Sequence, residues 1–134
     1  MEKGFVVVMV MILGFISVVT AVSGTARYYD PPYTPSACYG FEDQGVLIAG
    51  ATDVIYDNGA GCGTYYSVNC TGPADQFLHP CTGKSVIVKI VDHCPAPGCD
   101  ETLNLSQDAF SIIANLTASK IKIDYELVEM IKME

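Results

Sequence analysis

The 134-residue chain has no tryptophan, no Cys-x-x-Cys pair, and only 7 Lys plus Arg against 15 Asp plus Glu. Each shortage closes a class of function. Without Trp, any flat face for stacking on a ring must come from Tyr or Phe. Apart from Lys3, the bases are scattered from Arg27 to Lys132, so no cluster can track a phosphate backbone. Nucleic acid is excluded as a partner, and anionic lipid is disfavoured for the same reason. The cysteine spacing fails for zinc, although His79 lies near Cys81 and His93 abuts Cys94. No metal and no cofactor are expected. The length allows one domain and excludes tandem catalytic and binding domains.

There is one long apolar run. Behind Lys3, the stretch from Phe5 to Val19 and the small residues Ala21-Val22-Ser23 have the three-part form of a secretory signal peptide. The run is short for a spanning helix and lacks a basic stop-transfer flank. We therefore expect residues 1–23 to be a signal peptide, cleaved after Ser23, with no membrane insertion afterwards. Residues 24–134 then form one secreted domain. Cleavage removes one acid and one base, so the net charge stays −8.

All six cysteines, Cys38, Cys62, Cys70, Cys81, Cys94 and Cys99, lie past that point. An even number in a small secreted domain predicts a framework of bridges. The loop Pro95-Ala96-Pro97-Gly98 is most simply closed by a Cys94 to Cys99 bridge.

The strand and turn signals are short and frequent. Thr25 to Asp30 predicts an extended strand ended by Pro31-Pro32, and Tyr65 to Asn69 predicts a second. Val46 to Ala51 is small and apolar, and Asp57-Asn58-Gly59-Ala60-Gly61 is a turn cluster. Ser85 to Asp92 is the strongest strand signal and is expected to be buried on both faces. A helix is expected after Ser106 as N-cap, with Ala109, Phe110, Ile112, Ile113 and Leu116 forming its apolar stripe. Ile121 to Val128 alternates as a half-exposed closing strand. There is no internal repeat. Together these features predict an all-β fold of small α content, a closed or nearly closed barrel stapled by disulfides.

Four segments carry a resemblance: GTARYYDPPYTPSACYGF, DNGAGCGTYYSVNC, SVIVKIVDHCP and LNLSQDAFSIIANLTASKIKIDYELV. In this order, and with this cysteine pattern, the chain resembles the plant natriuretic peptide-like proteins over residues 24–131. These carry the endoglucanase family 45-like domain, the six-stranded double-psi β-barrel shared with the first domain of expansins. The resemblance implies the pairs Cys38–Cys62, Cys70–Cys81 and Cys94–Cys99.

It also marks a groove. In the resembling families a strand-end Asp matches Asp92, and a second Asp stands where this chain has Asn104. Glycoside hydrolysis on such a groove needs two carboxylates, and an amide can neither donate a carboxylic proton nor act as a base. Asp100 and Glu101 are the only nearby substitutes. Arg27 stands where the expansin-like pattern Gly-x-Ala-Thr-Tyr has Thr; it would either pair with Asp92 or project from an edge strand. Tyr28, with Tyr29 and Tyr33, is a candidate for sugar stacking, although strand alternation sends Tyr28 and Tyr29 to opposite faces. The vestigial groove set is thus Asp92, Asn104, Arg27 and Tyr28, with no catalytic residue assigned.

Asn69-Cys70-Thr71, Asn104-Leu105-Ser106 and Asn115-Leu116-Thr117 match the N-glycosylation pattern, with Asn115 foremost. The resemblance implies a monomeric, non-enzymatic apoplastic signalling protein that affects water and ion homeostasis and stress or defence responses through a cell-surface receptor. It places the signalling activity around Cys38 to Tyr66. The competing expectation is a wall polysaccharide-binding or loosening protein of the expansin type, without hydrolase activity.

Overall fold

Alternating apolar residues drive the strands, and short segments with both faces covered complete them. The computed structural model describes residues 21–95 and 98–129. Six strands run as β1 (Val22–Tyr29), β2 (Ile48–Ala51), β3 (Tyr65–Pro73), β4 (Ser85–His93), β5 (Leu103–Ser106) and β6 (Ile121–Val128). They close into a double-psi β-barrel in the order β1-β5-β2-β4-β3-β6. β1 with β5 and β2 with β4 are parallel, and the other four pairings are antiparallel.

The interior is filled by inward positions of all six strands. Ala26, Ala49 and Ala51 leave room for Leu103, Leu105 and Ile90, each fully buried. Closing a small barrel requires such alternation of small and large side chains. β4 corrects an expectation. Val86, Val88 and Ile90 are buried, but Ser85 and Ile87 are exposed, Ile87 by 45%. Its neighbours flank it within the wall, so only the inner face is covered. A register shift at Ala49/Gly50 breaks the alternation, and Val91 is buried beside Ile90.

Among the described residues, two helices decorate the barrel. The four-residue α1 (Asp53–Tyr56) leads into a tight helical turn at Asp57–Gly59. α2 (Gln107–Ile113) starts where expected: the Ser106 hydroxyl accepts the Ala109 N–H at 3.1 Å. Phe110 plugs the barrel with its ring 4.8 Å from that of Tyr28. The predicted stripe holds for Ala109, Phe110 and Ile113, with Ile112 half-buried. Leu116, by contrast, lies beyond the end of α2 and is 37% exposed.

The bridges join Cys38–Cys62, Cys70–Cys81 and Cys94–Cys99, and no cysteine is free. Of the predicted signal peptide, residues 1–20 lie outside the described residues, as does most of the chain past Val128. Val22 and Ser23 pair with Tyr125 and Asp124, so the expected cleavage point falls inside β1.

Candidate functional site

Register assembles the site. Arg27 of β1 is the Cα partner of Asn104 of β5, Asn104 partners Gly50 of β2, and Gly50 partners Asp92 of β4. Four separate stretches of sequence thereby form one row across the wall. Adjacent strands lie about 4.8 Å apart, so Asn104 and Asp92 are about 10 Å apart along the backbone. Gly50 leaves a gap between them; a Cβ there would meet the Asp92 Cβ at 3.5 Å.

The ends of the row are committed to the protein itself. Asp92 Oδ1 accepts the Ala37 N–H at 2.9 Å and the His93 N–H at 3.0 Å. It thus anchors the loop holding Cys38 as well as the start of the Cys94 turn. Arg27 does not reach Asp92, and the closed barrel gives it no edge strand to project from. Its Nε lies 3.5 Å from Glu101 Oε1, with the Arg27 side chain 42% exposed and that of Glu101 nearly buried. Burial, reinforced by a hydrogen bond with Asp100, holds the Glu101 carboxyl above the usual range, against the pull of Arg27. Exposed Asp100 is held low by the same hydrogen bond and by Lys120, at 3.8 Å. The two acids that were candidates to replace the missing carboxylate therefore form a cluster with Arg27 and Lys120.

The tyrosines divide by strand parity. Tyr28 is not in the row: its ring packs on Phe110 and its hydroxyl donates to the Leu116 carbonyl at 2.9 Å. Tyr29 takes the outward side and stacks edge-on with Tyr33 at 4.9 Å. Its buried hydroxyl has no partner among the described residues, and burial together with the charge of Asp92 raises its pKa. Tyr33 accepts the Gln107 N–H and donates to the Tyr29 carbonyl, both at 3.0 Å.

A second cluster escaped the sequence reading. His93 Nε2 meets Asp53 Oδ1 at 2.7 Å, and the Tyr56 ring stacks on His93 at 4.1 Å and 9°. The available signal was Thr52-Asp53 ahead of Val54-Ile55-Tyr56, an N-cap candidate with an acid in the first turn. The sulfurs of Cys94 and Cys99 lie with Glu101 within 4.8 Å, but both are spent in their bridge and supply no thiolate for a metal. Two cavities of about 490 Å³ lie away from the row, one at a barrel end and one beside Asp75, Phe77 and Thr117.

An EG45-like domain containing protein of Citrus jambhiri is 56% identical over 106 residues, covering 78% of this chain and 80% of that protein. The chain belongs to the EG45-like domain family. EG45-like domain containing protein 2 of Arabidopsis thaliana is 45% identical, covering 93% of this chain and 95% of its own. Residues 48–125 of this EG45-like chain match the family model described as lytic transglycolase. The fold is also that of a Clavibacter michiganensis expansin, solved as a point mutant in complex with cellohexaose. Its TM-score is 0.66 at 24% identity, covering 86% of this chain. The EG45-like chain spans 54% of that expansin's length. A Streptomyces papain inhibitor has the same barrel, with a TM-score of 0.61 at 23% identity, covering 82% of this chain and 96% of that one.

Proposed function

We propose that this EG45-like chain is a secreted, non-enzymatic apoplastic signalling protein of the plant natriuretic peptide type. On this reading it alters cellular water and ion balance and stress or defence responses through a cell-surface receptor. The observation that carries the reading is the state of the row: it holds one carboxylate, Asp92, and that carboxylate is engaged by two backbone N–H groups. Its counterpart is the amide of Asn104, which leaves no acid–base pair to cleave a glycosidic bond. The protein acts as a monomer.

Residues 1–23 are its signal peptide and Asn115 its glycosylation site. Asn115 and Thr117 are exposed, whereas Ser106 of the Asn104 motif is fully buried with its hydroxyl on the Val46 carbonyl. The deciding experiment adds nanomolar folded protein to wall-free plant protoplasts, with a reduced and alkylated sample as control. Swelling by the folded sample alone is expected, and a flat response across the concentration series overturns the reading.

A second reading is favoured by the row's own chemistry. A guanidinium, an amide, a glycine gap and a carboxylate in one register row form a series of donors and acceptors of the kind that pair with sugar hydroxyls. On that reading the chain binds wall polysaccharide without hydrolysing it. Retention on cellulose or xyloglucan that Gly50→Val abolishes would establish it.

A further inference from the structure

One open end of the barrel carries a cavity that the row does not use. Here β6 ends and β3 begins, with Tyr66 opposite Leu127. The cavity of about 490 Å³ is lined by Val54, Ile55, Tyr66, Tyr125 and Leu127, and by Val22 only until the signal peptide is cleaved after Ser23. That volume falls within the roughly 300–1,000 Å³ that ligand pockets occupy. Two of the apolar walls that remain after cleavage face solvent, Val54 by 87% and Leu127 by 46%.

The exposure of Val54 is built in. α1 is only four residues long, yet it is fixed from three sides. Ile55 is buried, Asp53 is paired with His93, and Tyr56 is stacked on His93. The Thr52 N–H donates to the Thr102 carbonyl at the helix start, and the Gly61 N–H donates to the Tyr56 carbonyl at its end. A valine held this firmly in water is preorganised for contact, which lowers the ordering cost of binding. The barrel is closed, so a partner cannot join as an added strand and must bind through side chains. The charged residues lining the cavity are Asp57 and Glu126; no base lines it.

We infer that this mouth is a docking site for a partner protein segment that inserts large apolar side chains flanked by Lys or Arg. The apolar walls take the side chains, and Asp57 and Glu126 meet the flanking cations. The inference rests on the signalling reading, which requires an outside partner, and it names the chemistry of that partner.

The probe is a short fluorescein-labelled peptide with adjacent leucines between lysines, titrated by anisotropy against the intact protein. Saturable binding is expected, weakened about tenfold or more by Val54→Glu. Val54 is too exposed for that variant to disturb the fold. Glu126→Lys is expected to weaken the lysine-flanked peptide and strengthen a glutamate-flanked one. The inference is overturned by an absence of saturable binding, by equal affinity in Val54→Glu, or by equal affinity for the glutamate-flanked peptide. Dimerisation lost in Val54→Glu would overturn it by assigning the mouth to a second copy. Binding gained only on deleting residues 130–134 would overturn it by assigning the mouth to the chain's own tail. Protoplast swelling that persists in Val54→Glu overturns the mouth while leaving the signalling reading intact. Peptide binding without swelling supports the mouth and overturns that reading.

Discussion

The row on the wall and the mouth at the barrel end are opposite in chemistry and in how that chemistry is used. The row has the charged groups, but each is spent within the molecule: Asp92 on Ala37 and His93, and Arg27 on Glu101. The mouth has two acids among mostly apolar walls, and its most exposed large apolar residue, Val54, is held in place by a helix that is itself well anchored. A polar group already satisfied by the fold offers a ligand little, because a new contact must replace an old one. Apolar surface held in water offers a ligand its full burial. On the signalling reading, the row then serves stability and the mouth serves recognition.

The largest expected effect tests the mouth. A Cβ on Gly61 would stand 2.1 Å from the Ile55 carbonyl oxygen, so Gly61→Ala must force α1 and the turn that follows it apart. A loss of about 1–3 kcal/mol in denaturant unfolding is expected, as for other overpacked sites. Asp92→Ala comes next. It strips two backbone N–H groups of their acceptor at a partly exposed site and should cost about 1 kcal/mol. If it instead left stability unchanged and abolished a measurable binding activity, the division of labour would fail.

Arg27→Ala is the smallest and is read through pH. The Glu101 pKa is raised in the fold, chiefly by burial, so its contribution is full below the unfolded pKa and is lost as pH rises through the folded one. Arg27 limits that loss. Its removal should steepen the fall in unfolding free energy as pH rises above the ordinary carboxylate range. Asp100 is shifted the other way and contributes with opposite sign, losing its stabilisation as pH falls. Arg27 also lowers the Asp100 pKa, so its removal weakens that stabilisation at the acid end as well. An unchanged pH profile would show that Arg27 and Glu101 are not coupled.

Much of the barrel was legible because its longer strands alternate or run apolar. β6 matches its predicted range, β4 differs by one residue, and Ser106 caps α2 as expected. β2 and β5 gave no such signal. Each has four residues, and β2 is buried on both faces, so no period could develop. The disulfide pairs came largely from family likeness. The row was only half legible: its members could be named, but parallel register between distant strands sets which of them meet. Arg27 illustrates this. Its charge pointed towards Asp92, whereas the register put Asn104 and Gly50 between them. Strand parity separated Tyr28 from Tyr29, but which of the two faced inward depended on Phe110, contributed from far along the chain.

The seam between β1 and β6 bears on how the molecule is made. The first strand of the barrel has one of its two neighbours in the last, with Val22 opposite Tyr125 and Ala26 opposite Ile121. A chain emerging amino end first cannot close this wall until nearly all of it has been synthesised. The bridges have the reverse order in time. Each cysteine pairs with the next one along the chain, at separations of 24, 11 and 5 residues. Every pair can therefore form as soon as its second member appears, with no partner to be exchanged later. The order of the pairs lets the sequence be crosslinked from front to back before the final strand closes the barrel.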